Sequence, residues 1–126
     1  MDRFLIVCVG SAAGGGTRYL VSLAAAARWG TAFPVGTLIV NVVGCFLITL
    51  IMHVAAVTTM STNLRLLLTT GFMGGLTTYS TFDYETTKFF QEGAHGTGFL
   101  NLGATVVACF VAGLLGLVVG RLLVGE

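Results

Sequence analysis

Two stretches of this chain, Val35 to Val57 and Phe99 to Val119, contain no Asp, Glu, Lys or Arg. A helix needs about 20 mostly apolar residues to cross the hydrocarbon core of a bilayer, and both runs are that long. In water they would need a polar exterior, and the chain has little: 56% of its 126 residues are hydrophobic and only 9% are charged. Soluble domains carry about 25% charged residues. The composition therefore implies an all-α integral membrane protein. A third crossing is expected at Phe4 to Ala27, with Arg18 as its one charge. Its start, Met1-Asp2-Arg3 before Phe4 to Val9, looks like a short signal peptide, but the apolar character runs on to Ala27, so a retained helix is expected. The remaining crossing, Leu66 to about Phe90, is unusual. Its first part is apolar, its middle is rich in Gly, Thr and Ser, and Asp83, Glu85 and Lys88 come near its end. The expectation is one domain over 1–126 with spans at about 4–27, 35–57, 66–90 and 99–120.

The breaks between spans are short. Pro34 suits the first turn of the second helix, Ser61 or Asn63 suits an N-cap of the third, and Gln91 to Gly98 is a glycine-rich link. Short links imply antiparallel neighbours. With four spans, Arg3, Arg65 and Arg121 fall on one side of the membrane and Arg28 and Lys88 on the other. Orientation normally follows an excess of Lys and Arg on the cytoplasmic side, and that instruction is nearly absent here. This predicts insertion both ways, with opposite copies pairing as an antiparallel, dual-topology homodimer; Arg18 or context fixing one orientation is the alternative. The stripe Cys109-x-x-x-Gly113 with Gly116-x-x-x-Gly120 lets helix backbones approach in lipid, either between subunits or within one.

Several function classes are set aside. A net charge of +1 with six scattered Lys and Arg makes no nucleic-acid footprint. Cys8, Cys45 and Cys109 lie far apart in apolar runs, which argues against a disulfide framework or a zinc site and for small buried thiols. Asp83 and Glu85 diverge on a helix and form no acid–base pair, while Glu85 and Lys88 can pair at the surface. No enzyme is expected.

Polar side chains within spans are costly and tend to be functional. Thr37 and Asn41 share one face of the second span, and the Asn amide can donate to an anion without bearing charge; a helix-to-helix hydrogen bond is the plainer reading. Arg18 follows Gly14-Gly15-Gly16 and either snorkels to the interface or draws an anion toward a vestibule. Asn101, Thr105 and Cys109 form a polar stripe on the fourth span. It could hydrate an ion or satisfy Thr77, Thr78 or Ser80. The run Gly71-Phe72-Met73-Gly74-Gly75-Leu76-Thr77-Thr78-Tyr79-Ser80-Thr81-Phe82 is poor continuous helix, so a break is expected between Gly74 and Ser80. Broken spans free carbonyls that can hold a cation, and they mark binding sites in transporters. Tyr79 and Phe82, three apart, could turn partly positive ring edges to an anion, or simply pack together.

Together with Gly15-Gly16-Thr17-Arg18-Tyr19, Gly36-Thr37-Leu38-Ile39-Val40-Asn41-Val42-Val43-Gly44 and the pair Glu85-Thr86, that run resembles the Fluc (CrcB) fluoride channels of prokaryotes. The likeness covers the whole chain in span count and motif order. It implies an antiparallel homodimer with two narrow fluoride pores in the prokaryotic plasma (inner) membrane. It implies pore-lining roles for Asn41, Tyr79 and Phe82, and a central structural sodium ion on the backbone carbonyls of Gly74 and Thr77 with their mates from the second subunit. Arg18 is implied near the pore mouth, and Thr105 and Cys109 on the polar track. Thr37, Ser80 and Glu85 complete the ion-pathway candidates. Two departures stand out: Tyr79 occupies a position where the family usually has Phe, and Cys109 one where it often has Ser. The runner-up, a four-span dual-topology multidrug transporter, needs a carboxylate in the first span, where this chain has Arg18; a holin-like protein would need neither Asn41 nor a broken span. Reporter fusions at the chain's ends are expected to appear on both sides of the membrane in comparable amounts; a single orientation would remove the dual-insertion reading.

Overall fold

A computed structural model describes all of residues 1–126. It contains helices and no strands. Helix α1 runs Asp2–Trp29 and α2 runs Val35–Val57. The third region is built of pieces: α3, Thr62–Leu66; a π-helical stretch, Leu67–Met73; α4, Gly74–Leu76; and, after a two-residue break, α5, Tyr79–Gln91. Helix α6 runs His95–Val124. Three helices, α1, α2 and α6, are long and apolar enough to cross a membrane. On either side of the break the third region is shorter: the 13 residues of α5 reach about 20 Å at 1.5 Å per residue, less than a hydrocarbon core.

Local signals account for the ends. Ser61 accepts the Leu64 N–H at 3.2 Å and so is the cap of α3. Pro34 sits one residue outside α2, as its N-cap rather than in its first turn. Gly30 closes α1 and Gly93 turns the chain between α5 and α6, both with φ near +78° and +77°, where an L side chain would be strained.

The interior is the reverse of a soluble core. Phe, Leu and Val side chains cover the outside of α1 and α6, while the buried side chains include Thr37, Asn41, Thr69, Thr86, Asn101 and Thr105. In lipid the apolar exterior costs nothing, and polar groups and small residues hold helices together. Glycines set the distances. A Cβ on Gly14 would collide with the Phe72 carbonyl oxygen, and one on Gly75 with the Ser11 carbonyl oxygen, so α1 and the third region touch backbone to backbone. A Cβ on Gly116 would meet the Phe46 carbonyl, and one on Gly120 would lie 3.2 Å from the His53 ring. The Gly116 and Gly120 part of the α6 stripe is therefore used within the chain, against α2.

Gly14→Ala is expected to force α1 off the third region and to cost about 1–3 kcal/mol, the usual range for overpacking. Gly96→Ala, with open space at its Cα, is expected to be neutral or stabilising. Thermal unfolding of the two variants in detergent checks the contrast.

Candidate functional site

The break falls at Thr77 and Thr78, narrower than the Gly74-to-Ser80 interval expected: Gly74–Leu76 is still helical and α5 has begun by Tyr79. Both break residues are extended, with ψ of 154° and 120°. Their backbone groups lose helical partners, and the chain supplies others. Asn41 on α2 brackets Thr78: its Oδ1 accepts the Thr78 N–H at 2.8 Å and its Nδ2 donates to the Thr78 carbonyl at 3.0 Å. These two bonds fix which end of the amide is which. Thr78 also caps α5, its Oγ1 accepting the Thr81 N–H at 3.2 Å. Gly44, one turn beyond Asn41, leaves room for the Thr77 methyl, which a Cβ there would strike.

These diversions strand two carbonyls. The Thr78 N–H that would continue the helix to Gly74 goes to Asn41, and the Thr81 N–H that would reach Thr77 goes to the Thr78 hydroxyl. The Gly75 carbonyl is occupied, by the Arg18 Nε–H at 3.1 Å. Through this bond Arg18 ties α1 to the residues just before the break.

Beside the break lies an open cleft of about 240 Å³, lined by Asn41, Cys45, Thr77, Thr78, Tyr79, Phe82, Thr105, Val106 and Cys109. Asn41, Thr105 and Cys109, from α2 and α6, meet the aromatics of α5 here. The Tyr79 and Phe82 rings pack edge to face, centroids 5.6 Å apart at 72°. Phe82 is buried, whereas Tyr79 is 78% exposed. The arrangement offers an amide donor, ring edges and hydroxyls along one wall, with no formal charge.

A family model described as CrcB-like protein, Camphor Resistance (CrcB), matches residues 5–117. The chain belongs to the CrcB family. It is 45% identical over 125 residues to a protein of Sorangium cellulosum named fluoride-specific ion channel FluC, with 98% of each chain covered. It is 48% identical over 122 residues to one of Geobacter sulfurreducens with the same name, covering 96% of this chain and 98% of that one. A third, from Anaeromyxobacter sp. strain K, is 44% identical over 126 residues, with 99% and 100% covered. The apolar helices and these relatives make this CrcB member a multi-pass membrane protein.

The remaining candidates divide. Thr37 and Glu85 meet outside the first cleft: the Thr37 hydroxyl donates to Glu85 Oε1 at 2.8 Å, and Glu85 Oε2 has no partner within the chain. They line a larger cavity of about 510 Å³ under the α1–α2 link, with Tyr84, Lys88 and Glu92. Glu85 therefore does not pair with Lys88, which lies 3.8 Å from Glu92 instead. The two spaces are one helical turn apart, since Thr37 precedes Asn41 by four residues and Glu85 follows Phe82 by three. Ser80 is exposed, lines neither space, and lies 3.5 Å from the Thr78 hydroxyl. The α6 stripe satisfies α5 rather than the break: Asn101 Nδ2 donates to Thr86 Oγ1 at 2.9 Å, and Thr105 Oγ1 to Asn101 Oδ1 at 3.5 Å.

Cys45 also lines the cleft; it follows Asn41 by four residues and so shares its face, a signal legible in the sequence. Thr78 as a helix cap was also readable, because a Thr just ahead of a helix is a common N-cap. Asn41→Ala is expected to strand the Thr78 N–H and carbonyl, costing about 1–3 kcal/mol for each group left unpaired. Thr17→Val, which loses only an exposed bond to Ala13 in its own helix, is expected to be nearly neutral. Thermal unfolding in detergent should separate the two.

Proposed function

We propose that this protein is a passive, fluoride-selective ion channel that lets cytoplasmic fluoride leave the cell, and not an enzyme. The observation that carries the reading is the Asn41 bracket on the helix break, opening into a cleft walled by aromatic edges. It is supported by the channel named in each of the three relatives. Fluoride is a small hydrogen-bond acceptor that holds its water tightly, so a pore must replace that shell with donors at close range. The Asn41 Nδ2 carries two hydrogens and Thr78 takes one, which leaves the other for an anion. Edges of Phe82 and Tyr79 contribute partial positive charge. Thr105 and Cys109 continue the polar wall, and Thr37 with Glu85 extends it one turn further. Arg18 contributes by holding the Gly75 carbonyl. The narrow stretch from Asn41 to Cys109, without formal charge, admits fluoride and excludes larger anions by size.

In this reading the third region, α3 to α5, makes the fourth crossing, with its break at membrane depth where other helices cover it. The working unit is an antiparallel homodimer inserted both ways in the prokaryotic plasma (inner) membrane. The stranded carbonyls of Gly74 and Thr77 fit a structural sodium ion, because hard cations take oxygen ligands and unwound backbone supplies them. One chain offers too few ligands, so carbonyls of the second copy complete the set. An ion held there would offset the dipoles of these carbonyls. The benefit to a cell follows from acid chemistry: hydrogen fluoride enters neutral, ionises inside, and the anion leaves down its gradient.

Purified protein in liposomes is expected to release fluoride and retain chloride. Phe82→Ile and Asn41→Ala are expected to reduce the fluoride rate while the dimer persists on size-exclusion chromatography. No fluoride release, or equal chloride release, would overturn the channel reading.

A further inference from the structure

The three cysteines are separated by at least 37 positions in sequence, yet the fold brings two of them together. Cys45 on α2 and Cys109 on α6 both line the cleft beside the helix break. Helices α2 and α6 are closely apposed at this level. A Cβ built on Gly113, one turn past Cys109, would lie 3.8 Å from the Cys45 carbonyl and 3.4 Å from the Thr49 hydroxyl. The side chains of Cys45 and Cys109 thus face one cleft from two neighbouring helices. Both residues remain partly accessible, and no other ionisable side chain lines the cleft except Tyr79. Cys8, by contrast, stands alone on the outer face of α1.

A pair of thiols lining one cleft, without a carboxylate or imidazole beside it, suits a particular class of ligand. Hard cations need oxygen, and zinc needs four ligands. Soft d10 cations prefer thiolate, and mercuric and silver ions are content with two ligands in line. We propose that Cys45 and Cys109 form a two-coordinate binding site for a thiophilic d10 metal cation, and that a metal held there plugs the cleft beside Asn41 and Phe82. The plugging half of this proposal rests on the channel reading above; the binding half does not. The chemistry balances without redox change. For a divalent metal such as mercuric ion, two S–H bonds break, two S–metal bonds form, and two protons pass to solvent.

The test uses full-length Cys8→Ser protein in detergent, with mercuric acetate as the probe. The expected result is loss of two free thiols and release of two protons for each metal taken up, with one metal per chain. Cys45→Ala and Cys109→Ala in that background are expected to lose one thiol per metal and to yield it to equimolar glutathione, which the pair resists. In liposomes, each protein is compared with its own metal-free fluoride rate. Mercuric ion is expected to block the Cys8→Ser protein, and a dithiol chelator to restore it. Losing one of two linked ligands should raise the blocking concentration roughly 100-fold in either alanine variant. If an alanine variant does not assemble, Cys45→Ser and Cys109→Ser carry the same comparison, because serine keeps the shape without the soft sulfur. Uptake of two metals per chain, each stripped independently, would overturn the binding site. Block that survives both variants would overturn the plug. Untreated protein that releases no fluoride overturns the channel reading instead, and the thiol and proton stoichiometry then still decides the site.

Discussion

Two hydrogen bonds between the Asn41 side chain and the Thr78 backbone are the condition for everything near the cleft. A helix interrupted where water is scarce must place each freed N–H and carbonyl on a partner. Asn is suited to the task, since its amide presents a donor and an acceptor on one flat group. By satisfying Thr78 it allows Tyr79 to start a new helix along a different path. The aromatics on that helix can then turn toward α2 and α6. The same bracket determines which carbonyls remain unused. Removing it would disturb the wall, the cap of α5 and the two unpaired carbonyls together.

The packing that supports the break is made of small residues. Gly10, Gly14 and Gly75 bring α1 and the third region into backbone contact, and Arg18 and Ser11 add side-chain bonds to Gly75 and Gly71. Gly116 does the same for α6 against the Phe46 backbone of α2, and Gly120 makes room for the His53 ring. Polar pairs then fix register where glycine only permits approach: Thr86 with Asn101, and Thr37 with Glu85. Apolar side chains contribute little to this choice, because lipid receives them as well as the protein interior does.

Much of this was legible in the amino-acid order, for physical reasons. Uncharged runs of the right length are a strong signal, so α2 and α6 could be read directly. The broken region could be anticipated from Gly74-Gly75 and the Thr-rich run, but not its width. Helix propensity is a weak prior, and Thr78 capping with Asn41 pairing confined the interruption to two residues. Side-chain destinations were the least readable. The bond from Arg18 to the Gly75 carbonyl joins residues 57 positions apart, and no local pattern announces it. The α6 glycines gave a packing face without saying which helix would fill it. Cys45 and Cys109 look unrelated along the chain, and only the crossing of α2 with α6 makes them neighbours.

The π-helical stretch Leu67–Met73 has a consequence for how this segment tolerates change in length. Each residue added to or removed from a helix turns all that follows by about 100° about its axis. The wider winding here holds more residues per turn than an α-helix would, and so sets the angle at which Thr77 and Thr78 arrive at α2. A deletion of one residue that let the stretch relax to ordinary α-helix would swing the break away from Asn41 while leaving every side chain of the motif intact. Spacing between Thr62 and Thr78 is thus as much a part of the site as the residues themselves, and insertions or deletions should be confined to the links outside it.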